Sequence, residues 1–205
     1  MRRGISILGA TALVLAGATA VRPGPADASV LCDGKAPTVL TSTGAIVGTD
    51  GDDVIVTTSG AWQQVQALGG NDTICLTTPV PSSAAAHEGL VFAGSGDDVV
   101  LVDPGTDRNT RLSVALGVGN DRYTGGPNDD TVYADAETHL NASPFTRPPA
   151  GPNDDVIDVG DGGYNYVMSV AAEGALNNDA ITGAGSMNVT HVGAMGPTGS
   201  MDFSR

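Results

Sequence analysis

Apolar residues along this chain come in runs of two to four, and clusters of Gly, Asn, Asp and Pro separate the runs. Val54-Ile55-Val56, Thr73-Ile74-Cys75, Val99-Val100-Leu101, Thr131-Val132-Tyr133, Val156-Ile157 and Ala180-Ile181 are the clearest. β-branched runs this short, bounded by turn formers, predict strands rather than helices. Only residues 134–141 and 82–88 have a composition that suits a helical turn, because 29 Gly and 12 Pro are spread through the rest. The first residues follow another pattern. Arg2 and Arg3 precede an apolar stretch at 5–20, too short for a membrane span, and two small-x-small exits follow at Ala18-Thr19-Ala20 and Ala26-Asp27-Ala28. This predicts a secretory signal over residues 1–28, cut after Ala28 or at the earlier Ala20, and one domain over 29–205. Ser29-Val30-Leu31 before Cys32 lacks the small residue that lipid attachment requires, so a lipoprotein is not expected.

The polar spacers repeat a phrase: a Gly-rich turn, Asn-Asp or Asp-Asp, then a β-branched residue. It reads Gly48-Thr49-Asp50-Gly51-Asp52-Asp53, Leu68-Gly69-Gly70-Asn71-Asp72, Gly94-Ser95-Gly96-Asp97-Asp98 and Gly117-Val118-Gly119-Asn120-Asp121, with looser copies later. Aligned on the last acid, the copies give Asp53, Asp72, Asp98, Asp121, Asp155 and Asp179, with Asp202 a possible seventh, in steps of 19, 26, 23, 34, 24 and 23 residues. A second, weaker column holds Asp107, Asp130, Asn165 and Asn188. Repetition at this period predicts an all-β fold, a parallel β-roll or right-handed β-solenoid with irregular coils of about 18–26 residues and one long loop around the Pro-rich residues 143–152. Stacked parallel strands lie about 4.8 Å apart, so each column would hold carboxylates at that spacing. Two such charges repel by about 1 kcal/mol in water and by several times more inside a protein. Left-handed turn positions are expected at Gly51, Gly70, Gly96 and Gly119, and at Asn128, Asn153 and Asn177 in later copies.

Charge sharpens this picture. The formal net charge is −14 at pH 7. Without Arg2, Arg3, Arg22 and Asp27 the remainder has 9 − 3 = 6 basic and 23 − 1 = 22 acidic residues, a net of −16. Only Glu88, Glu137 and Glu173 are glutamates. Short carboxylates suit tight turns and compact oxygen coordination, so the expected partners are cations, not nucleic acid or anionic membranes. Cys32 and Cys75, the two cysteines of an exported chain, most simply form one disulfide, the alternative being two buried thiols. His87, His139 and His191 are far apart, and no HExxH signature is present.

At these residues the chain resembles the RTX, or haemolysin-type, calcium-binding repeat, whose nine-residue pattern is G-G-x-G-x-D-x-U-x with U apolar. Residues 48–56 match with Thr49 in place of the second glycine, and Gly125-Gly126-Pro127-Asn128-Asp129-Asp130-Thr131-Val132-Tyr133 matches with Asn at the fourth place. Cys32-Asp33-Gly34-Lys35-Ala36-Pro37-Thr38 and the later Gly69-Gly70-Asn71-Asp72-Thr73-Ile74-Cys75 look like the start of small secreted bacterial members. The likeness covers most of residues 29–205, with close motifs in under half of them. It implies a β-roll with Ca²⁺ held in the turns, Asp53, Asp72, Asp98, Asp121, Asp130, Asp155 and Asp179 occupying the carboxylate-ligand position. Copies here are interrupted, and Asn165 and Asn188 stand where the pattern has an acid, so complete sites are expected between neighbouring good copies such as Asp53 with Asp72 or Asp98 with Asp121.

Three other readings compete. Asn-Asp and Asp-Gly turns could link antiparallel hairpins of a β-sandwich. A β-helix that binds or cleaves acidic polysaccharide would need basic residues, and Arg108, Arg111 and Arg122 are the only cluster. An adhesive or ice-binding surface would need threonine rows, for which Thr41, Thr43, Thr57, Thr58, Thr77 and Thr78 are suggestive but irregular, and Trp62 is the candidate exposed aromatic. The sequence therefore predicts a secreted, monomeric, non-catalytic calcium-binding protein, with an extracellular polysaccharide or cell surface as a further partner.

Overall fold

Each short β-branched run forms a strand in the computed structural model, which describes residues 30–76, 88–103, 111–135, 153–170, 176–192, 194–195 and 200–201. In chain order the strands are β1 (Val39–Val47), β2 (Val54–Gln66), β3 (Thr73–Leu76), β4 (Glu88–Ser95), β5 (Val99–Val102), β6 (Arg111–Val118), β7 (Arg122–Thr124), β8 (Asp129–Tyr133), β9 (Val156–Asp158), β10 (Tyr164–Val170), β11 (Leu176–Asn177), β12 (Ala180–Thr182), β13 (Ser186–Val192), β14 (Ala194–Met195) and β15 (Ser200–Met201). No helix occurs among the described residues. Of the two expected helical segments, Ala134 and Asp135 make a turn and Glu88 opens β4, while the rest lies outside the described residues.

From β3 onward the chain alternates between two walls. β3, β5, β7, β9, β12 and β15 extend the first half of β2, whereas β4, β6, β8, β10 and β13 extend its second half. β1 runs beside β2 along both halves, and β11 pairs with β14. Every strand pairing among the described residues is parallel. The fold is a parallel β-solenoid. The hairpin reading fails because the Asn-Asp turns carry the chain from one wall to the other; among the described residues, antiparallel pairing is confined to the Cys32–Lys35 bridge.

Strand alternation sends one residue of each run inward. On the first wall Ile55, Ile74, Val100, Tyr123, Ile157 and Ile181 stack in register, and on the second Ile46, Val65, Val91, Val114, Val132 and Val167 do the same. All twelve are at most 2% exposed. Burying a side chain of this size contributes about 1.5–3 kcal/mol, so each added coil extends the core by a similar increment. Two facing columns leave room for small aliphatic side chains, and Tyr123 is the one aromatic in them.

Outside the first wall, the chain's start folds over β2 and β3. Cys32 and Cys75 form a disulfide, and with Val56 they make a second apolar cluster packed by Val30, Leu40, Val54 and Leu101. The Lys35 ammonium donates to the Thr73 hydroxyl at 2.8 Å.

Candidate metal centre

Six aspartates close the corner where the chain enters the first wall. Asp53, Asp72, Asp98, Asp121, Asp155 and Asp179 each directly precede a wall strand or its first residue, and all are 1–6% exposed. Their carboxylates form a ladder along the solenoid. The Asp53 N–H donates to Asp72 Oδ1 at 2.7 Å, Asp72 N–H to Asp98 Oδ1 at 2.7 Å, and Asp98 N–H to Asp121 Oδ1 at 2.8 Å. Asp121 N–H donates to Asp155 Oδ1 at 2.8 Å and Asp155 N–H to Asp179 Oδ1 at 2.9 Å. One oxygen of each carboxylate thus satisfies a backbone donor on the preceding coil, which a buried turn would otherwise leave unpaired.

The ladder's first member is capped differently. Pro37, which has no N–H, stands beside Asp53, and the Thr38 hydroxyl donates to Asp53 Oδ1 instead, at 2.9 Å. Asp53 Oδ2 accepts from the Thr49 N–H at 2.6 Å and the Thr49 hydroxyl at 2.9 Å. Both oxygens of Asp53 are thus hydrogen-bonded, and among the described residues no third acidic or histidine side chain joins it and Asp72 in a cluster. Further along, the second oxygens have no such partners. Oδ2 of Asp72, Asp98, Asp121 and Asp155 is buried without a hydrogen bond. Burial pushes the Asp72 carboxyl up to about 6, Asp121 to about 7, Asp98 to about 8 and Asp155 well above the usual range. Neighbouring carboxylates add to the upward shift, and the backbone donors only partly oppose it.

A second ladder runs outside the first, one residue earlier in each copy and in the opposite direction. Asn71 N–H donates to Asp52 Oδ1 at 2.8 Å, Asp97 N–H to Asn71 Oδ1 at 2.9 Å and Asn120 N–H to Asp97 Oδ1 at 2.9 Å. Asp154 N–H then donates to Asn120 Oδ1 at 3.0 Å and Asn178 N–H to Asp154 Oδ1 at 3.1 Å. Asp and Asn alternate along this exposed row, which keeps its carboxylates two coils apart. Replacing Asn120 with Asp puts a carboxylate between Asp97 and Asp154 and removes an amide that donates to Asp97 at 3.4 Å. We expect Asn120→Asp to cost about 1 kcal/mol in chelator at low ionic strength and to recover in ~1 M KCl, measured by urea denaturation. A salt-independent loss would show that repulsion is not its cause.

The corner positions before the ladder depend on glycine where coils touch. Gly70, Gly96 and Gly119 have positive φ, as expected. Gly51, Asn128 and Asn153 do not. Thr49 shapes the Gly51 turn through its hydroxyl, which accepts from Gly51 N–H at 3.2 Å. The two asparagines work through side chains instead: Asn128 donates to Asp130 Oδ1, and Asn153 accepts from Gly119 N–H at 3.1 Å while donating to Asp135 Oδ1.

Asp130 lies elsewhere, on β8 in the second wall. Its N–H donates to Asn165 Oδ1 at 3.0 Å, so an asparagine can fill the ladder role. Asp130 Oδ2, Asn128 Oδ1 and the Tyr123 hydroxyl are buried here without hydrogen bonds of good geometry, and burial lifts Asp130 to about 8. Asn188 does not continue this column. β10 pairs with β13 so that Met187 stands beside Asn165, one position off the expected register. Asp107 and Asp202 lie outside the described residues.

One carboxylate of the corner is absent from the ligands that the sequence predicts. Asp135, Asp155 and Asp179 are all buried and offer oxygens within 4.8 Å of one another, the one such group of three or more among the described residues. The Gly117 N–H donates to the Ala134 carbonyl at 3.2 Å, which sets Asp135 beside Gly117 at the start of the corner. Asp135 therefore carries a carboxylate where the preceding coils have Gly94 and Gly117. This buried group of hard oxygen donors can hold a metal ion.

The arginines do not converge: Arg111 opens β6 on the second wall and Arg122 opens β7 on the first, both exposed, while Arg108 lies outside the described residues. Thr57 is buried and stands beside Thr41 in the β1–β2 pairing, and Thr58 is exposed; the side chains of Thr41, Thr43 and Trp62, and the whole of Thr77 and Thr78, lie outside the described residues. Comparisons with protein families, with curated proteins and with solved structures find no match to this chain.

Proposed function

We propose that this protein is a secreted, non-catalytic calcium-binding solenoid of the RTX type, whose coils consolidate when Ca²⁺ neutralises the carboxylates at its corners. The observation that carries this reading is the column of buried second oxygens on Asp72, Asp98, Asp121 and Asp155, none with a hydrogen-bond partner. An unpaired carboxylate oxygen in a dry corner is costly, and a cation shared between coils offsets that cost for several of them together. Asp130, with Asn128 and the neighbouring turn carbonyls, is the smaller site on the other wall. The disulfide and the leader-like first 28 residues support export to an oxidising, calcium-rich medium.

The expected behaviour is ion-linked folding: loose structure at the low calcium of a cell interior, consolidation outside. Titration of chelated protein followed by circular dichroism and calorimetry tests this, with Mg²⁺ as control. A gain of β signal with a midpoint at or below ~1 mM Ca²⁺, and a weaker response to Mg²⁺, is expected. A β-rich spectrum and a melting temperature that are the same with either ion and in chelator would overturn it.

A further inference from the structure

The calcium reading treats the ladder as a uniform column, yet its surroundings are not uniform. Beside Asp98 and Asp121 the corner starts with Gly94 and Gly117, which have no side chain, so each ion there would meet carboxylates only from consecutive ladder rungs. At Asp155 the corner starts with Asp135 and brings a third carboxylate within 4.8 Å of Asp155 and Asp179. Asp155 is 1% exposed; its Oδ1 accepts from Asp121 N–H at 2.8 Å, and its Oδ2 has no partner.

The geometry points to Asp135, Asp155 and Asp179 as the principal cation site of the molecule, a three-carboxylate site for a hard divalent ion of the calcium class, set apart from the weaker two-carboxylate positions along the ladder. The site rests on the calcium reading above and deepens it. Each ligand is held by a donor of its own. The Asn153 amide orients Asp135, the Asp121 N–H orients Asp155, and the Ser169 hydroxyl donates to Asp179 Oδ2 at 2.5 Å. Such outer donors fix ligand direction and are characteristic of built ion sites. Three carboxylates favour a divalent or trivalent ion over sodium or potassium, and side-chain oxygens favour calcium over softer metals.

Position gives the site a structural consequence. Asp135 leaves the second wall within the ladder's longest step, 34 residues from Asp121 to Asp155, and Asp155 is where the chain rejoins the first wall. Asp179 belongs to the next coil. One ion therefore ties both ends of the long excursion to the coil that follows, across the interruption in the repeat.

Calorimetry with Ca²⁺ and luminescence titration with Tb³⁺, on the whole chain and on Asp135→Asn and Asp98→Asn, test the assignment. Wild type should show one tight site above a weaker class. Asp135→Asn should weaken the tight site by about tenfold or more and leave the weaker class, whereas Asp98→Asn should leave the tight site intact. A tight site that survives Asp135→Asn but is lost in Asp98→Asn would overturn this inference and leave the calcium reading standing. Absence of Ca²⁺ binding to wild type would overturn both. If Asp135→Asn does not fold, Asn153→Ala keeps all three carboxylates and removes the amide that orients Asp135, together with the acceptor of the Gly119 N–H; a weakened tight site then supports the assignment and an unchanged one overturns it.

Discussion

Gly117→Ala should lower stability by about 4 kcal/mol or more, a fall in melting temperature on the order of 10 °C for a chain of this size. Gly117 has a φ of 112°, and a Cβ built on it would stand 1.8 Å from the Gly94 carbonyl oxygen. The obstructing atom is backbone, part of the preceding coil's own corner, so no rotamer change relieves it. Gly94 in turn sits so close to Leu68 that a Cβ there would lie 2.1 Å from the Leu68 carbonyl oxygen. Displacing one corner therefore displaces the stack, and with it the spacing of both Asp ladders. Gly34→Ala separates this cause from conformational strain alone. Gly34 also has positive φ, at 77°, but nothing lies within 4 Å of its built Cβ, so its substitution should cost only about 1–2 kcal/mol. Thermal unfolding of the two variants in the same buffer decides the matter. Equal losses would show that the corner tolerates a methyl group and that coil contact is not what selects glycine.

The coil architecture was legible because a solenoid makes each coil bury the same few atoms. An inward Val or Ile in each wall strand, with Tyr123 the exception on β7, and turn formers on both sides leave a pattern that local sequence carries by itself. The ladder was legible for the same reason: the sequence steps of 19, 26, 23, 34 and 24 residues are those of the observed hydrogen bonds. What the ladder does was only half visible. In sequence its Asp residues look like cation ligands alone, whereas from Asp72 onward one oxygen of each accepts a backbone N–H of the coil before. The Asp/Asn alternation was present in the pairs 52–53, 71–72, 97–98 and 120–121, but its meaning depends on which N–H meets which side chain. Asp135 was hidden more deeply. It follows the Gly125–Tyr133 copy at a place where the nine-residue pattern asks for no acid, and only the pairing of β8 with β6 sets it beside Gly117 in the corner. Asn188 failed for the complementary reason, since a shift of one residue in β13 puts Met187 in the column and turns Asn188 outward. Asn128 and Asn153 resembled left-handed turn residues by position, but hydrogen bonding of their side chains is what holds them.

In chelator, stability should fall as pH rises from about 4 to about 8, and in saturating Ca²⁺ it should instead rise over much of that range. The sign follows from burial. Asp72, Asp121 and Asp98 have folded-state values near 6, 7 and 8 against 3.8 for an ordinary aspartate, with desolvation the main cause. Between those limits the folded state holds more protons than the unfolded one, so raising the pH favours unfolding, and the stability present below pH 4 is lost progressively through pH 8. A tenfold gain in proton affinity on folding corresponds to about 1.4 kcal/mol, so even with a large allowance for residual hydration the sum is several kcal/mol. Calcium competes with these protons for the same oxygens and binds the deprotonated form, so its contribution grows with pH. Asp98→Asn isolates one rung. An Asn carbonyl can still accept from the Asp72 N–H, as Asn165 does for Asp130 at 3.0 Å, but it carries no charge. At pH 7.5 the variant should therefore match or exceed wild type in chelator and fall below it in Ca²⁺. Urea denaturation at pH 4.5, 6 and 7.5, with and without Ca²⁺, measures both effects. A flat profile in chelator would mean that the corners are hydrated enough to hold their carboxylates charged, and a profile that calcium does not invert would remove the ladder from the ion-binding machinery.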